Sequence, residues 1–126
     1  MTNSASIAVC ALLLALGVFQ LLLAAGAPIG QFAWGGEHRV LPLRLRVGSA
    51  VSTVLYAAFA TVVLDRAHLV SVLPDLLNSV GIWVIAGLFL LGAIPNLMSR
   101  SKPERYVMAP VAVLLSVLCL MTGLGV

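Results

Sequence analysis

Most of the side chains in this chain that could do chemistry lie in two short segments. The first is AWGGEHR, residues 33–39, and the second is NLMSRSKPER, residues 96–105. A histidine that titrates near neutral pH can act as an acid or base, and arginine pairs can hold a phosphate or carboxylate through parallel hydrogen bonds. If the segments meet, they form a candidate site for a ligand or a lipid headgroup, whose members are Trp34, Glu37, His38, Arg39, Asn96, Arg100, Glu104 and Arg105.

The simplest interpretation of these charges is structural. Glu37 and Glu104 would pair with neighbouring arginines, and the arginines would extend toward lipid headgroups. Binding of an anionic ligand or lipid is the next alternative, and catalysis is the third. The chain has no G-x-S-x-G, H-E-x-x-H or Walker motif, so the sequence assigns no catalytic residue.

The sequence also predicts no metal site and no cofactor. His38 and His68 fall on opposite sides of the predicted membrane domain, so they cannot share one metal or haem. Cys10 and Cys119 both lie inside apolar stretches, and two lone cysteines form no metal signature. We interpret them as small buried apolar side chains.

The elements that must position these segments are four apolar stretches. The chain is 62% hydrophobic and 9% charged, against about 25% charged in soluble domains. The stretches cover about 6–27, 47–64, 79–97 and 106–124, and they approach or reach the length of a transmembrane helix. We therefore predict one all-α membrane domain, residues 1–126, with four transmembrane helices in a bundle that could be two tandem helical hairpins.

The positive charges predict an orientation. Loops 28–46 and 98–105 contain six of the seven Lys and Arg residues, and loop 65–78 contains Arg66. The positive-inside rule places the two basic loops in the cytoplasm and both termini outside. These cations lie near helix ends, where anionic headgroups attract them, so the predicted partner is the lipid bilayer and not a nucleic acid.

Small side chains predict how the helices pack. Ser49, Thr53, Ala57 and Thr61 recur every four residues in the second stretch, and Ala112, Ser116, Cys119 and Gly123 form a similar row in the fourth. Membrane helices associate where small residues let their backbones approach closely. Both rows are predicted to be seams inside the bundle, with a homodimer or larger complex using one of them as the alternative.

The first loop is predicted to fold against the third. Orientation requires only Lys or Arg, yet this loop also has Trp34, glycines and a proline between leucines. We expect AWGGEHR to pack against the inner end of the third helix and against SRSKPER. Glu37 or Glu104 would pair with an arginine across the loops, which would leave Arg100 for an anionic group.

Two blocks of the chain together resemble a group of known proteins. GAPIGQFAWGGEHRVLPLRLRVGSAVS and IPNLMSRSKPERYVMAP resemble a group of small uncharacterised four-helix bacterial membrane proteins. The most specific parts are AWGG-x-H, residues 33–38, and N-x-x-S-R-S-x-x-E-R, residues 96–105. The resemblance implies the four-helix topology and a location in the inner membrane of a bacterium, and it carries no activity.

The function predicted from these observations is a non-enzymatic membrane protein. It would be an accessory subunit or a binder of an anionic lipid or small ligand at the cytoplasmic face. A dimeric small-solute transporter or channel is the first alternative, and a membrane enzyme at the inner headgroup level is the second. Transport is disfavoured because the predicted spans offer Gln20 and Asn96 but no acid, and ionisable groups inside the membrane usually mark such pathways.

Overall fold

Four helices make up the fold in the computed structural model, which describes residues 3–99 and 101–125. They are α1 (Asn3–Ala24), α2 (Leu43–Arg66), α3 (Asp75–Leu97) and α4 (Ala109–Leu124). A π-helical turn, Glu104–Met108, runs directly into α4, and two short 3₁₀ turns, Gly30–Phe32 and Trp34–Gly36, lie between α1 and α2. Each helix, with α4 counted from Glu104, is long and apolar enough to cross a membrane. The predicted all-α, four-helix fold class is confirmed.

Prolines determine where two of the helices begin. Pro42 and Pro74 occupy the positions immediately before α2 and α3. Proline is favoured at helix starts because no intrahelical hydrogen bond is lost there. Both helices therefore begin four residues earlier than the apolar stretches indicate, at Leu43 and Asp75.

The connections differ from the predicted loops for the same reason. The connection between α2 and α3 covers residues 67–74 and contains no helix, so it is shorter than the predicted loop 65–78. At the other end, α1 stops at Ala24, and the chain turns at Gly26 with a φ of 97°. A positive φ of this size suits glycine, which has no Cβ to clash with the backbone.

The helices form two antiparallel pairs. α1 packs chiefly against α2, and α3 packs chiefly against α4, while smaller contacts join α1 to α4 and α2 to α3. One end of the bundle carries the connections 25–42 and 98–103, and we call it the basic end. The half nearer the termini, which we call the opposite half, is filled by a buried apolar cluster of Val9, Leu13, Val63, Ile82, Ile85, Ala86, Leu115 and Cys119.

The predicted small-residue seam on α4 is confirmed. Its four members, Ala112, Ser116, Cys119 and Gly123, are all buried. The Ser116 hydroxyl donates a 2.8 Å hydrogen bond to the Ala86 carbonyl of α3, and a Cβ at Gly123 would lie 3.1 Å from the Trp83 ring. Close backbone approach of this kind is how helices associate in lipid.

The predicted seam on α2 is wrong at its centre. Ser49 is buried, but Ala57 is exposed, and Thr53 and Thr61 are only half-buried. Each threonine hydroxyl donates to a carbonyl of its own helix, Thr53 to Ser49 at 3.1 Å and Thr61 to Ala57 at 3.0 Å. Hydroxyls satisfied within one helix need no partner helix, so a row of small polar residues did not identify the packed face.

A buried carboxylate closes the bundle in the opposite half. Asp65, 3% exposed, accepts hydrogen bonds from the backbone N–H groups of Val72 and Leu73, both 2.8 Å, and from the side-chain amide of Asn78. Beside it, the Arg66 guanidinium donates a 2.7 Å bond to the Gly123 carbonyl. Asp65 therefore ties the α2–α3 connection to both helices that it joins.

Replacement of Asp65 by alanine should destabilise the protein markedly. The substitution leaves the donors of Val72, Leu73 and Asn78 without their acceptor, and unsatisfied buried donors are costly. We expect a clear fall in the midpoint of thermal unfolding in detergent. Asp75→Ala is the matched control because Asp75 is exposed, and equal effects of the two substitutions would contradict this role.

Candidate functional site

A chamber of about 210 Å³ lies between the helices toward the basic end. Five aromatic side chains line it, namely Phe19, Phe32, Trp34, Tyr56 and Phe89. Three polar side chains also face it, namely Gln20, Asn96 and Glu104. At roughly 30 Å³ per water molecule, the chamber has room for about seven waters, or for an organic molecule of comparable volume.

The first connection is folded over this chamber and forms its roof, residues 30–36. Ala33 and Leu41 are buried in a small apolar cluster with Leu23 of α1. The Gly30 N–H donates a 2.8 Å hydrogen bond to the Arg39 carbonyl. A Cβ at Gly30 would overlap the backbone of His38 and Arg39. The close approach of these two parts of the loop therefore requires glycine at position 30.

Trp34 fixes the roof to α2. It adopts a φ of 53°, which is uncommon for a residue with a side chain, and its indole N–H donates a 3.1 Å hydrogen bond to the Ser49 hydroxyl. The indole also covers Gly48, where an added Cβ would lie 2.9 Å from two ring carbons. Glycine at position 48 therefore makes room for the ring.

Phe32 fixes the roof to α1. Its ring meets the ring of Phe19 edge to face, with centroids 6.4 Å apart and an interplanar angle of 89°. This is a favourable arrangement for two aromatic rings. The Phe32 side chain thereby also lines the chamber.

Glu104 brings a carboxylate into the chamber from the π-helical turn. Its side chain is 6% exposed and accepts a 2.7 Å hydrogen bond from the Ser99 hydroxyl. Pro110, near the start of α4, has no N–H for a regular helical bond to the carbonyl four residues earlier. The wider π turn lies directly before this interruption, and such turns are frequent at functional sites.

Gln20 contributes an acceptor with no partner among the described residues. Its side-chain oxygen, Oε1, is buried and makes no hydrogen bond there, although the Gln20 side chain lies beside the Tyr56 hydroxyl. Buried polar atoms in proteins are nearly always paired with protein or water. The chamber thus has an acceptor available to a bound molecule.

The structure brings only part of the predicted site together. Trp34, Asn96 and Glu104 all line the chamber. Glu37 and Arg39 are exposed, and His38 is half-buried in the outer part of the loop. These three residues do not line the chamber.

The contacts of Glu104 differ from the predicted ion pair. In the part of the chain that the structure describes, the hydrogen-bond partner of Glu104 is Ser99 and not an arginine. The Arg105 guanidinium lies 4.9 Å from the centre of the Tyr106 ring, away from the chamber. Arg100 lies outside the described residues, so the chamber lining described here has an acid and no cation.

Arg46 has a structural role that its charge alone did not indicate. It lies in the first turn of α2, and its Nε donates a 2.8 Å hydrogen bond to the Ala24 carbonyl at the end of α1. The final carbonyls of a helix have no partner within the helix, and a cation is favourable there. Arg46 therefore joins the two helices of the first pair at the basic end.

Sequence reasoning missed Tyr56 and Phe89 and did not place Glu104 inside a helix. A signal for Glu104 was present, since Ser101-Lys102-Pro103-Glu104 matches the S-x-x-E pattern of helix starts. The structure shows the corresponding contact, in which the Glu104 N–H meets the Ser101 hydroxyl at 3.5 Å. No comparable pattern identifies Tyr56 or Phe89. Only the packing of α2 and α3 brings both side chains to the chamber.

The fold and the site define a small four-helix protein with an aromatic chamber that contains a buried acid. Comparison with known proteins adds no family to this description. No protein-family model matches the chain, and neither does any curated protein or solved structure. The function is therefore argued from the geometry of the chamber.

Substitution of Gly48 tests the position of Trp34. Alanine normally stabilises a helix relative to glycine by up to about 1 kcal/mol, but at position 48 its Cβ would displace the indole. We expect Gly48→Ala to lower thermal stability and to shift Trp34 emission to longer wavelength in a Trp83→Phe background. Gly87→Ala on α3 is the control because its Cβ would meet nothing within 4 Å. An unchanged emission spectrum in Gly48→Ala would contradict the contact.

Proposed function

We propose that this protein is a non-enzymatic membrane protein that binds a small molecule in the chamber, at the cytoplasmic side of a bacterial inner membrane. The observation that carries the proposal is the chamber itself, which combines aromatic walls with the buried carboxylate of Glu104 and the unpartnered oxygen of Gln20. Ligand sites typically combine apolar walls with a few polar groups that fix orientation.

The chemistry of the chamber favours binding over catalysis. The titratable side chains among its described lining residues are Glu104 and Tyr56. Enzymes of the hydrolytic and transfer classes combine a nucleophile, a base and groups that stabilise developing charge. His38, the predicted acid or base, belongs to the outer loop and does not line the chamber.

A carrier is the second candidate, and Glu104 is the observation that favours it. The chamber contains a buried acid, and the lack of an acid in the predicted spans was the reason for disfavouring transport. The packed cluster around Ile82 and Leu115 fills the opposite half, so release to the other side would require these helices to separate. This packing supports a binder in preference to an open pore.

The proposed orientation places the basic end in the cytoplasm. Arg39, Arg44 and Lys102 are exposed there, and we propose that they contact anionic lipid headgroups. Single cysteines at Ser4 and Val40, in a variant without Cys10 and Cys119, test this arrangement because both positions are exposed. A membrane-impermeant maleimide added to intact cells should label position 4 and not position 40. The reverse pattern would overturn the orientation.

Entry of a solute into the chamber is tested by a cysteine at Gly92. This residue lines the chamber, and a Cβ there would meet nothing within 4 Å. In the same cysteine-free background we expect Gly92→Cys to react readily with methyl methanethiosulfonate, a small neutral reagent. Gly87→Cys, exposed on the same helix, should react slowly because a thiol facing detergent or lipid rarely ionises.

A second chamber position guards against a local effect of the substitution. Ala112→Cys places the thiol on α4, where Ala112 also lines the chamber. Both variants should elute as folded protein and should react fully after denaturation. Lack of reaction at positions 92 and 112 in the folded protein would overturn the binding proposal.

A further inference from the structure

We infer that the ligand of the chamber is a small organic cation, a quaternary ammonium or a protonated amine with apolar substituents. This inference rests on the proposed binding function and names the class of ligand. It differs from the anionic ligand that the arginines of the sequence indicated. The charge, the aromatic walls and the size of the chamber support it.

The charge of the chamber is negative in the part that the structure describes. Glu104 provides the one charged side chain among the described lining residues. Only 6% of its surface is exposed. A carboxylate has about four acceptor positions, and the Ser99 hydroxyl occupies one of them. A buried charge is stabilised most effectively by an opposite charge nearby, which a cationic ligand supplies.

The walls of the chamber suit a cation that is poorly hydrated. Five aromatic side chains line the same chamber as Glu104. The face of an aromatic ring attracts a cation electrostatically, and cages of several rings are a recurrent way to recognise quaternary ammonium groups. An anion would be repelled by the carboxylate.

The size and the remaining polar groups narrow the ligand further. A chamber of about 210 Å³ holds a molecule with the volume of about seven waters, which is the scale of choline. The unpartnered Gln20 oxygen accepts a hydrogen bond from an N–H or O–H of such a molecule. The ligand class is therefore a compact cation with a hydrogen-bond donor.

The surface around the chamber has the opposite sign, which makes a sharp test available. Arg39, Arg44 and Lys102 are exposed at the same end and should attract anions. A preference for cations measured inside the chamber thus cannot arise from the surface. Val40, 51% exposed in the first connection, provides the surface position for comparison.

The experiment compares two thiol reagents of opposite charge on detergent-solubilised protein. Gly92→Cys and Val40→Cys, each without Cys10 and Cys119, are treated with 2-(trimethylammonio)ethyl and 2-sulfonatoethyl methanethiosulfonate, and rates are divided by those for a free thiol. We expect the cationic reagent to be favoured at position 92 by about tenfold or more, because the Glu104 carboxylate lines the same chamber and opposite charges attract. At position 40 the anionic reagent should be favoured.

Two further measurements test whether Glu104 causes the cation preference at position 92. One uses the Glu104→Gln variant, and the other uses a competing ligand. Glu104→Gln keeps the size of the side chain and should abolish the cation preference at position 92 without changing the rate at position 40. With Glu104 intact, choline should slow labelling at position 92, while its neutral analogue 3,3-dimethylbutan-1-ol should be much less effective. The choline comparison requires no change at Glu104, so it remains decisive if the Gln variant does not fold.

The outcomes separate this inference from the proposed function. Reaction with the neutral reagent at position 92, together with equal rates or an anion preference for the charged pair, would overturn the cation inference and leave the binding chamber standing. Retention of the preference in a folded Glu104→Gln variant would overturn the role of Glu104. Failure of neutral and charged reagents alike at positions 92 and 112 would overturn the chamber as a binding site.

Discussion

The close approach of α3 and α4 at small side chains is the contact on which the rest of the bundle depends. Lipid is as apolar as leucine, so burial of apolar area alone does not hold two helices together in a membrane. The Ser116 hydroxyl reaches the Ala86 carbonyl, and Gly123 accepts the Trp83 ring against its backbone. With these helices joined, α1 and α2 complete a core around Val63 and Leu115.

The chamber begins where this row of small residues ends. Ala112 is the last member of the row toward the basic end and already borders the chamber, which Met108 and Glu104 continue to line. The π turn adds width to the helix over Glu104–Met108, and the roof of the first connection covers the resulting space. The fourth helix and the π turn before it thus provide both the close contact with α3 and the acid of the chamber.

The amount that could be predicted from sequence depended on whether a feature is local. Hydropathy alone predicted four helices, and the α4 row was recognised because four small residues on one face have few other uses in lipid. The α2 row looked the same but failed at Ala57, since its threonines bond within their own helix. Spacing cannot distinguish these two cases without the position of the neighbouring helix.

The site was half predictable for a related reason. Trp34, Asn96 and Glu104 were recognised as unusual residues beside the membrane, and they do line one chamber. Tyr56 and Phe89 lie within ordinary apolar runs, so only tertiary packing brings them to the chamber. The negative charge of the chamber could not be predicted either. Arginines outnumber acids in the local sequence, but the structure buries the Glu104 carboxylate.

The two arginine-to-carbonyl bonds differ in how much of the chain must be synthesised before each can form. Arg46 bonds to Ala24 across 22 positions of the chain, so the first helical pair can close as soon as α2 has been synthesised. Arg66 bonds to Gly123 across 57 positions, and its guanidinium has no such carbonyl until α4 is in place. Until then the cation must remain in contact with water or headgroups, because an unpaired charge is costly in hydrocarbon. An arginine therefore can reach its carbonyl early in synthesis at one end of the bundle, and only after α4 has been made at the other end.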